Sequence, residues 1–387
     1  MNNSREIREA VAKLDTYIVS EQYKGYDPYD ALMSPLFHYF PFNNKPVRYI
    51  GQQIVKRLIL DVRPLLGIPK GYNPVTLGLV IQGLAYQIPS EPGRKEELMG
   101  RANLLIAELE RIKSPGYSGA CWGYDFDWES RYSSFPAFTP TVVATGIITN
   151  GLFAYYRETG NKEAAVLCLD AVNFVRKDLN RMKTETGFCY SYSPLDKQRV
   201  YNATLKAARL LAQASALSGD KSLLNEARGT VTFVASEQRS NGSWSYSKGD
   251  ARSWVDNFHT GYILDCLDEY IALSGDTTFI SNRDRGFQFY ADNFFTPEGI
   301  PKYYPNSMYP VDATAGAQAI LTLTRFNEGA RAGRVATWLI GHMQSNTGFF
   351  YYQIHRHWTN RTSYMRWSNA WMFAALSRLM MATDDLV

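Results

Sequence analysis

Gly242-Ser243-Trp244-Ser245-Tyr246 is one of five copies of a glycine–aromatic phrase that decides the fold of this chain. The other copies are Cys121-Trp122-Gly123-Tyr124, Gly187-Phe188-Cys189-Tyr190, Gly299-Ile300-Pro301-Lys302-Tyr303-Tyr304 and Gly348-Phe349-Phe350-Tyr351-Tyr352. Their glycines are spaced by 64, 55, 57 and 49 residues along a chain of 387. Such a period is typical of a repeat architecture, in which no unit buries its apolar face alone.

Each phrase lies between two predicted helices of different character. The preceding helix has a mixed surface with apolar residues three and four positions apart, as at 161–182, 221–238, 277–294 and 328–344. The following helix is rich in Ala, Gly, Leu and Thr, as at 141–156, 202–218, 256–274, 312–326 and 368–381. Small residues suit an inner ring and mixed surfaces an outer ring. We therefore predict an all-α fold, an α/α toroid (barrel) of six or seven helical hairpins with short β-hairpins in the long loops at one end.

The N-terminal residues 1–90 carry weaker copies of the unit. Gly25-Tyr26-Asp27-Pro28-Tyr29-Asp30 precedes a short predicted inner helix at 31–40, and Gly71-Tyr72-Asn73-Pro74 precedes another at 75–86. The clear repeats fill 91–387, and we predict a single domain over 1–387. The first pair either completes a seventh hairpin or caps a six-hairpin barrel. An open helical solenoid is the alternative architecture.

Composition narrows the class of protein. A net charge of +4 without long basic runs disfavours nucleic-acid binding. The four cysteines lack metal-ligand spacing and are too few for a disulfide framework, so we expect a reducing compartment. The polar N-terminus and the absence of a long apolar run predict neither a signal peptide nor a transmembrane helix. We expect a cytoplasmic protein without a metal or cofactor, and the oligomeric state stays open.

Aligning the units at the start of each inner helix gives a column of polar residues, namely Asp30, Asn73, Thr141, Asn202, Asp256, Asp312 and Asn369. Such residues commonly cap helices, which is the plain explanation of the column. Two members have further features. Asp256 and His259 lie one turn apart, which suits acid–base chemistry or a capped helix with a hydrogen-bonded His. Asp312 follows Tyr309 and the Tyr303-Tyr304 pair.

The loop at 114–140 is the longest and carries three alternating carboxylates. In an extended strand, Asp125, Asp127 and Glu129 share one face, and the rings of Tyr124, Phe126 and Trp128 share the other. A long ordered loop in a compact domain is usually functional. The alternative is a loop that plugs the barrel by aromatic packing.

Basic side chains and two histidines collect in the same predicted loops. His355 and His357 would face the same way on a strand, but a metal would lack a third ligand, so contact with a substrate is favoured. The basic residues are Arg131, Lys197, Arg199, Lys248, Arg252, Lys302, Arg356, Arg361 and Arg366. A concave site lined by rings, carboxylates and guanidinium groups indicates a sugar chain, including one with anionic groups.

The glycine–aromatic phrase resembles the α/α-toroid superfamily. This fold is shared by squalene-cyclase and prenyltransferase repeats, uronate C5-epimerases, and many glycoside hydrolases and polysaccharide lyases. Residues 119–128 and 256–261 look most like a VpsJ-like group associated with polysaccharide biosynthesis. The resemblance is specific for the fold and says little about the reaction. The zinc ligands of protein prenyltransferases are not seen, because Asp265 and Cys266 are adjacent.

The resulting hypothesis is a carbohydrate-active enzyme of a surface-polysaccharide or exopolysaccharide pathway. It would act on an oligosaccharide or polysaccharide, including uronate-containing ones, as a hydrolase, lyase or epimerase. The candidate catalytic residues are Asp127, Glu129, Asp256, His259, Asp312 and Tyr304. The candidate substrate-binding residues are Trp122, Tyr124, Trp128, Arg131, Trp244, Tyr246, Arg252, Trp254, Tyr303, His355, His357 and Arg366. The alternatives are a non-catalytic glycan-binding or assembly protein and an isoprenoid or lipid-carrier binder with an apolar cavity.

Overall fold

A closed double ring of helices forms the barrel in the computed structural model, which describes residues 2–384. The inner helices are α3 (Pro74–Ser90), α5 (Val142–Thr159), α7 (Tyr201–Ser218), α9 (Asn257–Ser274), α11 (Ala313–Arg325) and α13 (Trp371–Asp384). The outer helices are α1 (Asn2–Ser20), α4 (Lys95–Arg111), α6 (Lys162–Lys177), α8 (Ser222–Ser236), α10 (Ile280–Asn293) and α12 (Gly329–Met343). Each inner helix packs on the next, and α13 packs on α3. The predicted α/α toroid is confirmed, and the ring is closed, unlike that of an open solenoid.

The N-terminal unit departs from the predicted pattern. The inner helix predicted at 31–40 is wrong, because this segment forms two short 3₁₀ turns, Asp30–Met33 and Pro35–His38. A helix that was not predicted, α2 (Lys45–Arg57), follows it. Pro35 and Pro41 cannot donate backbone hydrogen bonds and interrupt any longer helix here. The described residues therefore build six hairpins, and the segment between α1 and α3 covers one end of the barrel.

The repeated glycine lies where each phrase crosses the next outer helix. A Cβ on Gly187 would lie 2.1 Å from the carbonyl oxygen of Gly229 in α8, and one on Gly348 would lie 2.3 Å from that of Lys13 in α1. The corresponding glycines of the other phrases are Gly119 on α6, Gly242 on α10 and Gly299 on α12. In the first copy this place belongs to Gly119 rather than to Gly123. The repeat period therefore reflects one close contact between a loop glycine and an outer helix for each phrase.

The long loops at the N-terminal ends of the inner helices contain short antiparallel strands, as predicted. β1 (Trp128–Glu129) pairs with β2 (Ser134–Phe135), β3 (Arg181–Lys183) with β4 (Phe188–Tyr190), and β5 (Arg199–Val200) with β6 (Ser247–Lys248). β7 (Val311–Asp312), β8 (Gln353–Ile354) and β9 (Thr359–Asn360) form a three-stranded sheet. We call this end of the barrel the loop end. At the opposite, far end, short turns cap α5, α7 and α9 with left-handed glycines.

The first and last units of the ring are joined by direct contacts. α1 packs on α12 and α13, and Gln344 donates a 2.9 Å hydrogen bond to the carbonyl oxygen of Ala10. Asp27 accepts two hydrogen bonds from Arg366, at 2.5 and 2.8 Å, and both side chains are buried. Within residues 2–384, no helix is long and apolar enough to cross a bilayer.

Candidate active site

A cavity of about 450 Å³ opens at the loop end, within the roughly 300–1,000 Å³ of ordinary ligand pockets. Helix starts of the inner ring, the long loops and α2 all contribute to its wall. Aromatic rings dominate this wall, namely Tyr29, Tyr49, Tyr124, Trp128, Tyr132, Phe135, Tyr192, Tyr246, Trp254, Phe258, Tyr262, Tyr303, Tyr304, Trp367 and Trp371. The aromatic-rich loops of the sequence therefore meet around one cavity.

Asp256 and His259 form a hydrogen-bonded pair in the cavity wall. The Oδ1 atom of Asp256 caps α9 by accepting a 2.9 Å hydrogen bond from the backbone N–H of His259. Its Oδ2 atom lies 2.7 Å from Nδ1 of His259 and accepts a 3.1 Å hydrogen bond from the Trp254 indole. One carboxylate thus caps the helix and orients the imidazole, so the two readings of Asp256 in the sequence are compatible.

The geometry of this pair defines which imidazole nitrogen can do chemistry. Because an ionised carboxylate only accepts hydrogen bonds, Nδ1 of His259 carries the proton that it shares with Asp256. Nε2 is then an acceptor in the neutral ring, as a general base requires. The His259 side chain is 22% exposed and that of Asp256 only 2%, so the imidazole is the accessible member of the pair.

Stacked aromatic pairs flank the His–Asp pair. Tyr246 and Trp254 stack with ring centroids 4.9 Å apart, and the edge of Tyr246 packs against His259 at 4.6 Å. Trp128 stacks on Phe135 at 4.1 Å elsewhere in the same wall. Flat, partly exposed rings with polar edges suit the apolar faces of sugar rings.

The two candidate carboxylates of the long loop occupy different positions. Glu129 lines the cavity, is 5% exposed, and its Oε2 atom has no hydrogen-bond partner among residues 2–384. Asp127 does not line the cavity, and it accepts hydrogen bonds from Arg48 of α2 at 2.8 Å and from the backbone of Ala137 at 2.8 Å. Arg48 also contacts Glu129 at 3.2 Å, so one guanidinium holds both carboxylates in place.

Asp312 and Tyr304 are also separated by the structure. Asp312 caps α11 and accepts further hydrogen bonds from Gln353 and Trp367, and it is not part of the cavity wall. Burial raises its pKa. Tyr304 does line the cavity, and burial raises its pKa as well. A phenol with a raised pKa keeps its proton, so Tyr304 is suited to donate a hydrogen bond rather than to act as a base.

Three predicted arginines reach the cavity, but two already have carboxylate partners. Arg366 is bound by Asp27, and Arg252 by Asp250 at 2.5 Å. The hydrogen bonds from Arg252 lower the pKa of Asp250 to about 2. Arg131 is exposed and has no ion-pair partner among the described residues, so it is the arginine best placed to bind an incoming anion.

Four predicted binding residues lie away from the cavity. Trp122 and Trp244 are buried, and each indole donates to a carbonyl in the last turn of an outer helix, that of Leu109 or Val234. His355 stacks on Trp358 at 3.8 Å, just after β8. His357 lies in the same exposed turn, so the predicted strand ends before either histidine.

Sequence reasoning missed several residues of the wall. Tyr49 and Gln53 come from α2, which has no repeat phrase to reveal it. Tyr192 lies two residues beyond the second phrase, and Trp367 and Trp371 precede or begin the last inner helix. Counting two residues past each phrase would have found Tyr192. Of the polar column, Asn73, Thr141, Asp256 and Asp312 are helix caps, and Asn202 and Asp256 line the cavity.

A second cavity of about 290 Å³ lies at the far end of the barrel. Its wall is mainly polar or charged, with Lys206 and Arg209 of α7, Asp265 and Glu269 of α9, and Arg325 of α11. Arg325 binds Glu269 at 2.8 Å, and Asp265 accepts hydrogen bonds from two polar side chains of α11. Ile147, Tyr262 and Trp371 line both cavities and therefore form the partition between them.

Solved structures that share this fold include α/α-toroid carbohydrate-active enzymes. The chain is similar to a cellobiose 2-epimerase from Bacillus thermoamylovorans (TM-score 0.64, 13% identity, 83% of this chain and 90% of that one). It is also similar to a GH76 α-mannanase from Bacteroides thetaiotaomicron (0.59, 11%, 81% and 87%). An unsaturated glucuronyl hydrolase from Streptococcus agalactiae is a third example (0.57, 13%, 97% and 90%). No family model and no curated protein matches the sequence.

Proposed function

We propose that the protein is a carbohydrate-active enzyme that transfers a proton on a sugar ring, with His259 as the proton-transfer residue. The observation that carries this proposal is the 2.7 Å contact between Asp256 and His259 in an aromatic cavity. A base of this kind removes a proton from a carbon next to a carbonyl or carboxylate group. That step begins both epimerisation and lyase elimination.

The chemistry of the wall supports a sugar as the substrate. The rings of Tyr246, Trp254 and Trp128 offer stacking faces, and Tyr304 offers a protonated phenol near the pair. Arg131 supports an anionic sugar such as a uronate. The similar structures include enzymes named for sugar epimerisation and for glycoside hydrolysis. We include in the proposal a role in a surface-polysaccharide or exopolysaccharide pathway, as the VpsJ-like resemblance implies.

Deuterium exchange in heavy water tests this proposal directly. The protein is incubated in D₂O with neutral and uronate-containing oligosaccharides, and products are followed by NMR. We expect deuterium on a ring carbon with a changed configuration for an epimerase. For a lyase we expect a new carbon–carbon double bond and no hydrogen left on the deprotonated carbon. New reducing ends with neither carbon-bound deuterium nor a new double bond would contradict proton transfer and indicate hydrolysis. Binding without any product would indicate the non-catalytic alternative.

A matched pair of histidine variants assigns the exchange to the site. His259→Asn should lower the exchange rate by about 10²-fold or more, the usual contribution of a general acid–base group. His342→Asn is the control, because His342 lies exposed on outer helix α12, stacked on Trp338. Equal rates in His259→Asn and the unmodified protein would refute the role of His259.

Glycoside hydrolysis through Glu129 is the second candidate function. The observation that favours it is the unpartnered Oε2 atom of this buried, cavity-lining carboxyl group. Most such hydrolases use two carboxyl groups, and Asp256 is the other one in this wall. In this case Glu129→Gln would abolish the release of reducing ends.

A further inference from the structure

One stretch of the surface is unusually rich in exposed apolar side chains. Of nineteen exposed large hydrophobic residues in the described chain, ten lie between residues 36 and 65. They are Leu36, Tyr39, Phe40, Phe42, Ile50, Ile54, Leu58, Ile59, Leu60 and Leu65. Phe40 is 89% exposed, Leu65 88% and Leu60 77%. We call this set the 36–65 patch. Clusters of this kind on a folded protein mark interaction sites, whereas single exposed hydrophobic residues do not.

Helix α2 presents its part of the patch in a fixed orientation. On its inner side, Gln52 exchanges two 3.0 Å hydrogen bonds with the backbone of Glu129, and Val55 is buried. Ile50, Ile54 and Leu58 are spaced by four residues and lie on the opposite, exposed side. The helix therefore has one face that holds the cavity loop and a second apolar face that is exposed to solvent.

The charge of the segment is one-sided. No Asp or Glu occurs from residue 31 to residue 60, although the whole chain has 37 acidic residues against 41 Lys and Arg. Lys45 and Arg57 are exposed within this span, and no described carboxylate forms an ion pair with them. The other cations of the span, Arg48 and Lys56, point inwards, to the carboxylates of the long loop and to the Tyr29 hydroxyl.

We propose that the 36–65 patch docks on the surface of a lipid bilayer that contains anionic lipids. Exposed Phe, Tyr, Ile and Leu side chains enter the boundary between headgroups and acyl chains, and adjacent cations bind the lipid phosphates. A second copy of the chain fits less well. A two-fold contact would bring Lys45 and Arg57 of both copies together, and Asp61, the one carboxylate of residues 36–65, already pairs with Arg63.

Docking of this patch places the loop-end cavity beside the bilayer. Tyr49 and Gln53 of α2 line the cavity, so its wall and the docking surface share one helix. If the proposed function holds, a glycan carried by a membrane lipid would be within reach of the site. This consequence rests on the proposed function, whereas bilayer docking does not.

Vesicle sedimentation with the full chain tests the docking. The vesicles consist of phosphatidylcholine alone or of phosphatidylcholine with an equal amount of phosphatidylglycerol. We expect binding to the anionic vesicles, weakened by salt because exposed charges are screened. The variant Ile54→Ser/Leu60→Ser should reduce binding by about tenfold or more, given that each exposed apolar side chain contributes buried area. Lys45→Glu/Arg57→Glu should remove the preference for phosphatidylglycerol.

The control is Leu104→Ser/Val166→Ser, which removes two equally exposed apolar side chains from outer helices α4 and α6. It should bind as the unmodified protein does. The proposal is overturned by an absence of vesicle binding, by equal binding to both vesicles, or by equal losses in patch and control variants. A dimer in light scattering that Ile54→Ser/Leu60→Ser dissociates, without vesicle binding, would assign the patch to a second copy instead. Sugar-dependent activity is not needed for any of these readouts.

Discussion

The two cavities of the barrel share their inner helices but differ in what lines them. The loop-end cavity is lined mainly by aromatic rings from loops and helix starts, with one accessible His–Asp pair. The far-end cavity is lined mainly by polar and charged side chains of the helices themselves, several of which bind one another. Helix α9 contributes to both, with Asp256 at its start and Asp265 two to three turns later. The difference indicates that the loops supply chemistry, whereas the far-end charges stabilise one another.

The pair Asp256→Asn and Asp265→Asn tests this comparison most strongly, because both carboxylates are buried and belong to the same helix. Asn keeps the size of Asp256 but carries no negative charge, so its hydrogen bond to the protonated Nδ1 of His259 is weaker. The orientation and tautomer of the imidazole are then no longer fixed. We expect the rate of the proposed reaction to fall by about 10²–10⁴-fold. Rates are measured by deuterium exchange under saturating substrate.

Asp265→Asn should leave that rate unchanged. It disturbs the hydrogen bonds from Gln318 and Thr322 and should lower the free energy of unfolding by about 1 kcal/mol, measured by urea denaturation. A loss of activity in this variant larger than that in Asp256→Asn would reverse the roles of the two cavities.

Lys206→Met tests whether the buried charge of Lys206, in the wall of the far-end cavity, lowers the stability of the fold. Burial lowers the pKa of Lys206 to about 7, and the ammonium group lies 3.7 Å above the Tyr262 ring. The other titratable groups that face it are Arg209, Asp265 and Cys266. Replacement by an apolar side chain of similar length should raise the free energy of unfolding by about 1–4 kcal/mol.

The gain from Lys206→Met should depend on pH. Lys206 titrates near 7 in the folded protein and near its ordinary 10.5 when unfolded, so the unfolded chain binds the extra proton between these values. The unmodified protein therefore gains stability as the pH rises through this window, and the advantage of the variant shrinks. Denaturation curves at pH of about 6 and about 9.5 measure this difference. A constant advantage would mean that Lys206 is not titrating in this way.

Trp254→Ala and Tyr86→Ala compare one ring from each cavity. Trp254 stacks on Tyr246 and donates to Asp256, whereas Tyr86 lines only the far-end cavity. Loss of a stacking face should raise KM by about fivefold in Trp254→Ala, given roughly 1 kcal/mol for such a contact. Tyr86→Ala should leave KM unchanged. Steady-state kinetics measure KM for both variants, and an equal rise in the two would contradict this prediction.

Arg157→Gln should have the smallest effect. Arg157 is exposed at the rim of the far-end cavity and has no ion-pair partner among the described residues. We expect a change in the free energy of unfolding within about 0.5 kcal/mol and unaltered activity. A clear loss of activity would show that the far end takes part in function.

The ring could be predicted because its determinants are local and repeated. Each glycine phrase marks one crossing of an outer helix, and the small-residue runs mark the inner helices, so five inner helices were found from 141–381 alone. The pair Asp256 and His259 was also accessible, because residues three apart on a helix share a face.

The remainder of the site depends on contacts between distant parts of the chain. Trp122 and Trp244 sit in the same phrases as Tyr124 and Tyr246, yet their indoles find carbonyls in the outer helices and stay in the core. Asp127 is held by Arg48 of α2, a helix that lies outside the repeat pattern of the sequence. The directions in which Trp122, Trp244 and Asp127 point do not follow from residue spacing in the sequence.

The joint between the first and last hairpins has a consequence for synthesis of the chain. The apolar residues Ile7, Leu14 and Ile18 of α1 are buried, and the helices that α1 packs on, α12 and α13, are translated after the other helices of the barrel. A nascent chain on the ribosome therefore carries an uncovered α1 until nearly the whole barrel has emerged. Contacts of such high sequence separation also slow folding. Chaperones that shield apolar helices during translation should therefore bind α1 before the barrel closes.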